Sequence, residues 1–381
     1  MIKDGGYKNI EEIINYALRE SAPNKFLKGF VKIDNNVLSI KNKKFDLEKY
    51  DKKILIGFGK MAGSVAKELC KIVSFDEGII LDTKSEKFRN KNVKCLIGDH
   101  PFPSEKNIDN TYKLIELVNK LKENDLVICI VSGGGSALLF KPKMDYEDYM
   151  EIYNEKIFSG IDIKKLNKFR KENSLIKDGK LAQIIAPAKL VNLYFSDIVG
   201  NDLSAISSGP TYNKRAENIL ILDNKFFLEK MKEKALVLGL KTKIVSNKVN
   251  CDVEKFSREV VSKLNCKKDC LIWGGETTLE VKGKGNGGRN QELALRVAKL
   301  IKDKDVTFAS FGTDGIDGTT KNAGAIVDRT TFEKIRKKKI DLEKELENNN
   351  SNFVLKNVKG LITTGKTGIN LMDAMILVKM I

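Results

Sequence analysis

Histidine is almost absent from this chain of 381 residues, since His100 is the only one. A Ser-His-Asp triad would therefore have a single possible base, which weakens any hydrolase interpretation. Long apolar runs are also missing, because no stretch approaches the roughly 20 uninterrupted apolar residues that cross a bilayer. The N-terminal sequence MIKDGGYKNIEEII turns polar and acidic where a signal peptide has its apolar run, so we expect a cytoplasmic protein that does not enter a membrane.

The sequence also lacks cysteine pairs with metal-binding spacing. Its six cysteines show no CxxC spacing, and three of them lie in apolar strand-like runs, which is typical of buried free thiols. Cys266 and Cys270 are four residues apart and could pair or hold a metal ion. No second cysteine pair and no second histidine support a zinc site there, so free thiols are the favoured interpretation.

Arginine is scarce relative to lysine, because only nine of the 68 basic residues are arginines. With 51 acidic residues the formal net charge is +17, which raises the possibility of nucleic-acid binding. Recognition of bases and phosphates favours the planar guanidinium group, however, and the lysines show no repeated basic-aromatic pattern. We therefore expect a solvated lysine surface and no nucleic-acid partner. A basic nucleic-acid-binding protein stays as a non-enzymatic alternative.

The chain has the composition of a globular protein, with 41% hydrophobic and 31% charged residues, and its length fits two domains. Apolar strand runs alternate with helical segments from Lys52 onward, which predicts an α/β fold with a parallel sheet covered by helices. The predicted strands of this first part are Lys53–Phe58, Gly78–Asp82, Val93–Ile97, Leu126–Val131 and Lys189–Phe195.

The clearest break in the pattern is Tyr212–Lys234, a polar and charged stretch that we interpret as lacking strand character. New strands follow, and a helix over Gln291–Ile301 accompanies them. Together they predict a mixed sheet in a second α/β domain. The predicted strands of this part are Lys243–Ser246, Cys270–Trp273, Thr277–Lys282, Val306–Phe311, Leu361–Thr364 and Ala374–Met380.

A glycine-rich turn follows the first predicted strand. Residues 57–63 read GFGKMAG and lead into a helix, so that backbone amides and the helix N-terminus could approach an anion. The spacing GxGxxxG differs from the GxGxxG of dinucleotide binders and from the Walker sequence, and a plain tight turn is the alternative. Lys60 favours an anion site, because a lysine in the first helical turn is unfavourable unless an anion balances it.

Two further polar loops follow buried strands in the first half. Residues 132–136 read SGGGS, and three consecutive glycines bracketed by serine hydroxyls favour a bound phosphate. Residues 196–202 read SDIVGND and are followed by SSGPT at 207–211. Carboxylates and small hydroxyl residues at a strand end suit Mg²⁺ or a substrate hydroxyl, whereas helix capping and Asx-turns are the alternative.

The second half contains glycine-dense loops of the same kind. They read GGETT at 274–278, GNGGRNQE at 285–292, GTDGIDGT at 312–319 and TTGKTGIN at 363–370. The third of these has the aspartate spacing of a calcium loop but lacks the terminal glutamate. Such loops at strand ends in both halves predict a phosphate-rich ligand, held in a cleft between two domains.

The ordered motifs resemble the glycerate 2-kinase family, whose C-terminal half is the MOFRL domain and whose members were often labelled hydroxypyruvate reductase. The resemblance covers the chain from about Tyr7 to the end. The segments that carry it are GFGKMAG, DHPFPSE, SGGGSALL, NKFRKENSLIKDGKLA with APAKLVNLYFSDIVGNDLSAISSGPT, GGETTLEVKGKGNGGRNQELAL, GTDGIDGTTKNAGA and TGKTGIN.

The resemblance implies a Rossmann-like N-terminal domain over residues 1–215, which carries the glycine-loop phosphate sites, and a smaller MOFRL-like α/β C-terminal domain over residues 240–381. The active site would then lie in the cleft between them. The implied activity is phosphorylation of D-glycerate at its 2-hydroxyl by ATP, with Mg²⁺ or another divalent cation. D-glycerate and ATP are therefore the expected partners, and a homodimer is an open alternative to a monomer.

Residue roles follow from the matching motifs. The resemblance implies that Lys60 contacts the transferring phosphoryl group or the glycerate carboxylate, that Asp197 orients the 2-hydroxyl or holds the metal, and that Arg289 neutralises phosphate charge. Phosphoryl transfer needs chiefly positioning and cation clamps, so no histidine base is required. The residues expected to bind the nucleotide are Ser132, Gly133, Gly134, Gly135, Ser136, Asp202, Ser208, Gly209, Gly275, Glu276 and Gly288. The residues expected to bind glycerate are Lys60, Asn167, Arg170 and Asp314, and the expected metal ligands are Asp197, Asp314 and Asp317.

An NAD(P)H-dependent hydroxypyruvate reductase is the alternative function. It would need a GxGxxG fingerprint followed by an acidic residue about 20 positions later. Here the third glycine falls one place late and Lys60 intrudes, so a small-molecule kinase is the predicted function. His100 begins the HPFP segment, where either a direct ligand contact or a loop shaped by prolines would explain it.

Overall fold

The computed structural model describes residues 5–159 and 163–379, which fold into two compact units. The parallel-sheet unit comprises Pro23–Asp197 and Asn201–Leu222. The mixed-sheet unit comprises the described residues up to Ala22, the short segment Ile198–Gly200 and the described residues from Asp223 onward.

Both units are built from alternating helices and strands. The helices of the described chain are α1 (Gly5–Glu20), α2 (Pro23–Phe30), α3 (Ala62–Ile72), α4 (Glu105–Val118), α5 (Gly135–Leu138), α6 (Tyr146–Phe158), α7 (Ile163–Glu172), α8 (Lys180–Ile185), α9 (Asn224–Val237), α10 (Val253–Ser262), α11 (Arg289–Leu300), α12 (Thr331–Lys337), α13 (Leu342–Glu347) and α14 (Ser351–Val358). The strands are β1 (Val31–Asp34), β2 (Val37–Ile40), β3 (Lys43–Asp46), β4 (Lys52–Phe58), β5 (Glu77–Asp82), β6 (Val93–Ile97), β7 (Asp125–Ser132), β8 (Lys189–Phe195), β9 (Glu217–Leu222), β10 (Thr242–Val249), β11 (Cys270–Gly275), β12 (Val306–Gly312), β13 (Gly324–Asp328), β14 (Leu361–Ile362) and β15 (Asp373–Lys379).

The parallel-sheet unit is organised around six parallel strands in the order β6-β5-β4-β7-β8-β9, which confirms the predicted α/β class. Every residue of the central strand β7 is buried, as the unbroken apolar run of its sequence predicts for a strand with both faces covered. In the register of β4 with β7, Phe58 pairs with Val131. The glycine turns that follow these two strands therefore begin side by side at the carboxyl edge of the sheet.

A small antiparallel sheet precedes this core. β1 pairs with β2, and β2 pairs with β3. Asn35 and Asn36 form the turn between β1 and β2 with φ values of 45° and 61°, a left-handed conformation that asparagine tolerates better than most residues. The sequence patterns described above did not predict this sheet.

The mixed-sheet unit contains a second six-stranded sheet in the order β10-β11-β15-β12-β13-β14. β10 and β11 are parallel, and the other neighbouring pairs are antiparallel, which confirms the predicted mixed sheet. Its core includes the single tryptophan, Trp273, whose ring meets that of Phe256 edge-on at a centroid separation of 6.2 Å.

The N-terminal helix belongs to the mixed-sheet unit. Its apolar face buries Ile10, Ile13 and Ala17, and Glu12 forms an ion pair of 2.9 Å with Lys234 of α9. Residues 1–215 were expected to form one domain, so this grouping differs from the expectation at the N-terminus. Such a long-range association is set by which apolar faces meet, and chain order does not reveal it. The placement of the active site between two domains stays a prediction.

Two predicted segments differ in type from the structure. The stretch Tyr212–Lys234 was predicted to lack strand character, but it contains edge strand β9, which pairs with β8, and the start of α9. Thr277–Lys282 is not a strand: Thr278 forms only an isolated bridge with Asp252, while Lys282 N donates to Asn349 Oδ1 at 2.7 Å and Asn349 Nδ2 donates to Glu280 O. The closing strand ends at Lys379 among the described residues, and the predicted end at residue 380 lies outside them.

Candidate functional site

The first glycine turn and the SGGGS loop meet at the carboxyl edge of the parallel sheet. Lys60 N donates to Gly133 O at 2.9 Å, and Met61 N donates to Ser132 Oγ at 3.2 Å. Gly59 has a φ of +120°, and a Cβ atom there would lie 2.3 Å from Ser132 O. The turn therefore requires glycine at position 59, because the two loops touch through their backbones.

His100 joins this cluster. A Cβ atom on Gly134 would lie 3.1 Å from Lys60 Cγ and 3.2 Å from His100 Cδ2, so both side chains line the same face of the loop. Lys60 and His100 are each half-buried. The tertiary structure thus brings together three motifs that are separated by 40 and 34 positions in the chain.

A serine turn closes the other side of the SGGGS loop. Ser207 Oγ donates to Ser132 O at 2.7 Å, and the hydroxyls of Ser136 and Ser208 lie 2.9 Å apart. Ser207 and Ser208 have φ values of 53° and 64°, a conformation that non-glycine residues adopt rarely and that recurs at ligand sites. Seven of the residues expected to bind nucleotide, the five of the SGGGS loop together with Ser208 and Gly209, therefore lie in adjoining turns of one unit.

The two aspartates after β8 have different surroundings. Asp202 lies in an exposed turn, where its Oδ1 accepts hydrogen bonds from Ser204 N at 3.0 Å and Ser204 Oγ at 2.7 Å. This is the Asx-turn that was the alternative for these carboxylates. Asp197 is half-buried and follows the strand end by two residues. The geometry of the turn does not test whether Asp197 binds the 2-hydroxyl or the metal, or whether Asp202 binds the nucleotide. Both roles stay predictions.

Arg170 is held beside the HPFP segment. Its Nη1 donates to Asn167 Oδ1 at 3.0 Å, its Nη2 donates to the hydroxyl of Tyr153, and its guanidinium lies 5.3 Å from the centroid of the Tyr153 ring. The Tyr153 ring in turn meets Phe102 edge-on at 6.4 Å. Asn167 and Arg170, both expected to bind glycerate, therefore contact each other beside one aromatic neighbour.

Asp82 is a buried carboxylate that the sequence patterns did not single out. It ends β5, and its oxygens accept hydrogen bonds from Gly63 N at 2.8 Å and Thr83 N at 2.6 Å. Burial raises the pKa of Asp82, and these two amides oppose the rise. Asp82 follows the glycine turn by about the interval at which a dinucleotide-binding fold has its ribose-binding acid. Here that acid caps the first turn of α3, which argues against the reductase alternative.

Arg289 of the mixed-sheet unit lies between two carboxylates. Its Nε donates to Asp373 Oδ2 at 2.6 Å and its Nη2 to Asp373 Oδ1 at 3.1 Å, while Nη2 also lies 2.7 Å from Glu276 Oε1. Burial alone would lower the pKa of Arg289, but the charges of Asp373 and Glu276 raise it above the ordinary value. Asp373 was not predicted as part of the site, because its position at the start of the closing strand gave no distinctive signal.

Asp317 caps α11 from outside the helix. Its Oδ1 accepts from Asn290 N at 3.1 Å and its Oδ2 from Gln291 N at 2.9 Å, and the side-chain amides of the same two residues donate to it as well. Burial raises the pKa of Asp317 to about 6. Because four N–H groups occupy its oxygens, the geometry does not support the expected role of Asp317 as a metal ligand.

The remaining expected residues of this unit lie in tight loops. Gly288 precedes α11, and a Cβ atom there would lie 2.4 Å from Asp317 Oδ1. Gly275 ends β11 and leads to Glu276 beside Arg289. Asp314 is half-buried and its Oδ1 accepts from Ile316 N at 3.1 Å. The glycine-rich loops that follow β11 and precede α11 therefore both adjoin the Arg289 side chain.

Neither a preformed metal cluster nor a membrane-spanning helix occurs among the described residues. Within residues 5–159 and 163–379, no group of three or more His, Cys, Asp or Glu side chains could hold a metal ion by itself. The six cysteines are free thiols, which agrees with the favoured interpretation. No helix in those same ranges is long and apolar enough to cross a membrane.

Two family models match the chain. The model described as a domain of unknown function (DUF4147) matches residues 9–236, and the model of the MOFRL family matches residues 269–373. The first of these covers more than half of the chain.

Curated relatives and solved structures agree with the two models. A glycerate 2-kinase from Pyrococcus horikoshii is 31% identical, with 94% of each chain covered, and a D-glycerate 2-kinase from Thermotoga maritima is 31% identical over 86% of this chain and 90% of the relative. A crystal structure of a glycerate kinase from Thermotoga maritima superposes with a TM-score of 0.85 at 29% identity, covering 98% of this chain and 99% of the other. The chain therefore belongs to the glycerate 2-kinase family.

Proposed function

We propose that this protein is a glycerate 2-kinase, which transfers the γ-phosphoryl group of ATP to the 2-hydroxyl of D-glycerate. The observation that carries the proposal is the cluster of Lys60, His100 and the SGGGS loop at the carboxyl edge of the parallel sheet. Ligands of α/β proteins bind at this edge, and a lysine, serine hydroxyls and glycine backbone are suited to phosphate groups. Family membership supports glycerate as the acceptor.

The SGGGS loop fits the phosphates of a nucleotide. Gly134 leaves open the space that a side chain would fill between Lys60 and His100, and the paired hydroxyls of Ser136 and Ser208 lie on the adjoining turn. ATP, when bound, supplies the phosphoryl group. We propose that the loop orients the phosphate chain and that Lys60 balances the charge of the group in transfer.

The acceptor would bind through the Arg170 cluster. A guanidinium group binds a carboxylate through two parallel hydrogen bonds, and Asn167 with Tyr153 fixes the orientation of Arg170. We propose that Arg170 holds the carboxylate of glycerate, with Lys60 as a second cation near it. Asp197 would then accept a hydrogen bond from the 2-hydroxyl and orient its oxygen for attack.

Arg289 and a divalent cation are assigned to the remaining phosphate charge. Asp373 and Glu276 engage Nε and Nη2 of Arg289, so a phosphate would meet the arginine at Nη1. Asp197 and Asp314 are carboxylates suited to Mg²⁺, which usually binds to one or two protein carboxylates together with substrate phosphates. The metal would neutralise phosphate charge. Because Mg²⁺ keeps several waters and usually binds through substrate phosphates, we propose that it enters with ATP.

An assay that separates kinase from reductase tests the proposal. Protein, ATP, Mg²⁺ and D-glycerate are mixed and ADP is measured, while NADH absorbance is followed with hydroxypyruvate in a parallel reaction. We expect ADP to form and NADH to stay unchanged. Carbon-phosphorus coupling in the NMR spectrum of the product identifies 2-phosphoglycerate. Oxidation of NADH without ADP formation, or a 3-phosphoglycerate product, would contradict the proposal.

The role of Lys60 can be tested with a matched pair of variants. Lys60→Ala should fold normally and lower kcat/KM at least about tenfold, which corresponds to about 1.4 kcal/mol of lost transition-state contact. Lys67→Ala is the control, because Lys67 lies on α3 and pairs with Glu86 at the surface. Wild-type kcat/KM in the Lys60 variant would remove this residue from the mechanism.

A further inference from the structure

Lys177 is a buried lysine behind the SGGGS loop. Its side chain is 1% exposed, and its Nζ donates to Ser136 O at 2.8 Å and to Leu139 O at 3.1 Å. Ser136 lies in the short helix α5 and Leu139 directly follows it, and the last carbonyls of a helix have no N–H donors within the helix. The ammonium group therefore fixes the segment that continues the glycine loop.

The backbone next to Lys177 holds the serine turn. Asp178 N donates to Ser208 O at 3.1 Å, and Gly179 N donates to Gly209 O at 2.8 Å. The segment 177–179 thus contacts both the SGGGS loop with α5, through the Lys177 side chain, and the serine turn, through two backbone amides. Ser136 links Lys177 to the serine turn. Its carbonyl accepts a hydrogen bond from Lys177 Nζ, and its hydroxyl lies 2.9 Å from the hydroxyl of Ser208.

The energetic cost of this arrangement indicates a function. A buried ammonium group is expensive, and carbonyl dipoles offset the cost less completely than a carboxylate would. Burial, followed by the positive charge of Arg170, lowers the pKa of Lys177 to about 7. Among the described residues no carboxylate forms an ion pair with Lys177. Methionine would fill the same space without this cost, so packing alone does not explain a lysine here.

We infer that Lys177 is a positioning residue that holds the SGGGS loop and the Ser208 turn in the arrangement which receives the nucleotide phosphates. The inference rests on the proposed function, since it concerns the same site. Because Lys177 is 1% exposed, we assign it no direct contact with a ligand. It acts through Ser136, whose hydroxyl and backbone it keeps in place.

The test compares two lysine-to-methionine variants. Lys180 is the matched control, because its Nζ also donates to two backbone carbonyls, Lys171 O at 3.2 Å and Ser174 O at 2.5 Å, but neither belongs to the SGGGS loop. The dissociation constant of a β,γ-imido analogue of ATP is measured without glycerate, and KM for ATP, KM for glycerate and kcat are measured in the full reaction.

We expect Lys177→Met to raise the dissociation constant of the analogue and KM for ATP at least about tenfold, with KM for glycerate and kcat within about threefold of wild type. Lys180→Met should leave all four values within about twofold. Unchanged analogue binding in folded Lys177→Met, or equal losses in both variants, would overturn the inference. If Lys177→Met does not fold, Lys177→Gln, which can still donate to one carbonyl, decides by the same criteria with an effect of at least about threefold.

The two proposals can fail separately. A wild-type protein that binds the ATP analogue but makes no phosphoglycerate overturns the proposed function and leaves the Lys177 comparison intact. A wild-type protein that makes 2-phosphoglycerate, with analogue binding indifferent to Lys177, overturns the inference alone. A wild-type protein that does not bind the analogue overturns both.

Discussion

Lys177 in the parallel-sheet unit and Arg289 in the mixed-sheet unit are both cations held next to glycine-rich loops, but their charges are balanced in different ways. Lys177 donates to two backbone carbonyls, and its pKa falls to about 7. Arg289 is bound by Asp373 and Glu276, and its pKa rises. One cation is balanced by backbone dipoles, the other by carboxylates.

The difference follows from the chemistry of the two side chains. An ammonium group is a compact donor that can meet converging carbonyls, and it loses its proton when burial is costly. A guanidinium group keeps its proton and matches the two oxygens of a carboxylate. We therefore expect the parallel-sheet unit to be most sensitive to changes in backbone shape and the mixed-sheet unit to be most sensitive to loss of a charged partner.

The largest effect is expected when the Arg289 pair is broken. Asp373→Leu should lower the free energy of unfolding by about 3 kcal/mol or more, because it leaves a partly buried guanidinium with only the more exposed Glu276. Glu276→Ala should cost no more than about 1 kcal/mol. Urea denaturation of both variants measures the difference, and equal losses would contradict the assignment of Asp373 as the main partner.

A comparable loss is expected from a single methyl group in the parallel-sheet unit. Gly59→Ala should cost about 2–3 kcal/mol, since the new Cβ would lie 2.3 Å from Ser132 O and the residue must keep a φ of +120°. Gly29→Ala is the control, because position 29 lies exposed in α2 and no atom approaches within 4 Å. Denaturation midpoints that do not separate the two variants would rule out the backbone contact as the cause.

The stability of the mixed-sheet unit should depend on pH through the carboxyl group of Asp317. The pKa of Asp317 rises from 3.8 in the unfolded chain to about 6 in the folded one, so the protonated form favours folding. Its contribution is complete below about pH 4 and is lost as pH rises through about 6, by about 3 kcal/mol at most. Asp317→Asn should remove this decrease in the free energy of unfolding with rising pH. The free energy of unfolding of both proteins, measured from pH 4 to pH 7, tests the sign, and parallel curves would contradict it.

The smallest effect concerns the surplus of lysines at the surface. If the net charge of +17 helps to draw anionic substrates to the protein, KM for glycerate should rise about two- to threefold between about 20 and 200 mM salt, because salt screens exposed charges. Buried cations such as Lys177 are screened far less, so their contribution to nucleotide binding should change less. A flat response of KM for glycerate would leave the bulk charge without a role in catalysis.

Sequence patterns predicted the parts of the fold that depend on local chemistry. The strands around β4, β7 and β8 were found from their apolar runs, and the loops after them from glycines and serines. Polar flanks hide the edge strand β9 from such patterns, and the segment after Gly275 alternates between polar and apolar residues as a strand does although it is not one. Two of its backbone groups bond instead to the side chain of Asn349, which lies about 70 residues away.

The residues of the candidate site also fall into two groups, those that a local motif identifies and those that it does not. Lys60, the SGGGS loop and Arg289 were identified from their motifs, since glycines and cations at strand ends have a local physical meaning. Lys177, Asp82 and Asp373 were not, because one lysine in a lysine-rich stretch or an aspartate at a strand end has no distinctive sequence signal. Their importance arises from burial and from partners far along the chain.

The sequence by itself determined the α/β class, the family and the loops that are suited to phosphate, because these follow from residue types and their order. Only the tertiary structure decided which groups balance the buried charges: backbone carbonyls for Lys177 and the carboxylate of Asp373 for Arg289. Burial determines how much free energy a charged group costs, and packing determines which partner can reach it. Neither can be read from a single residue of the sequence.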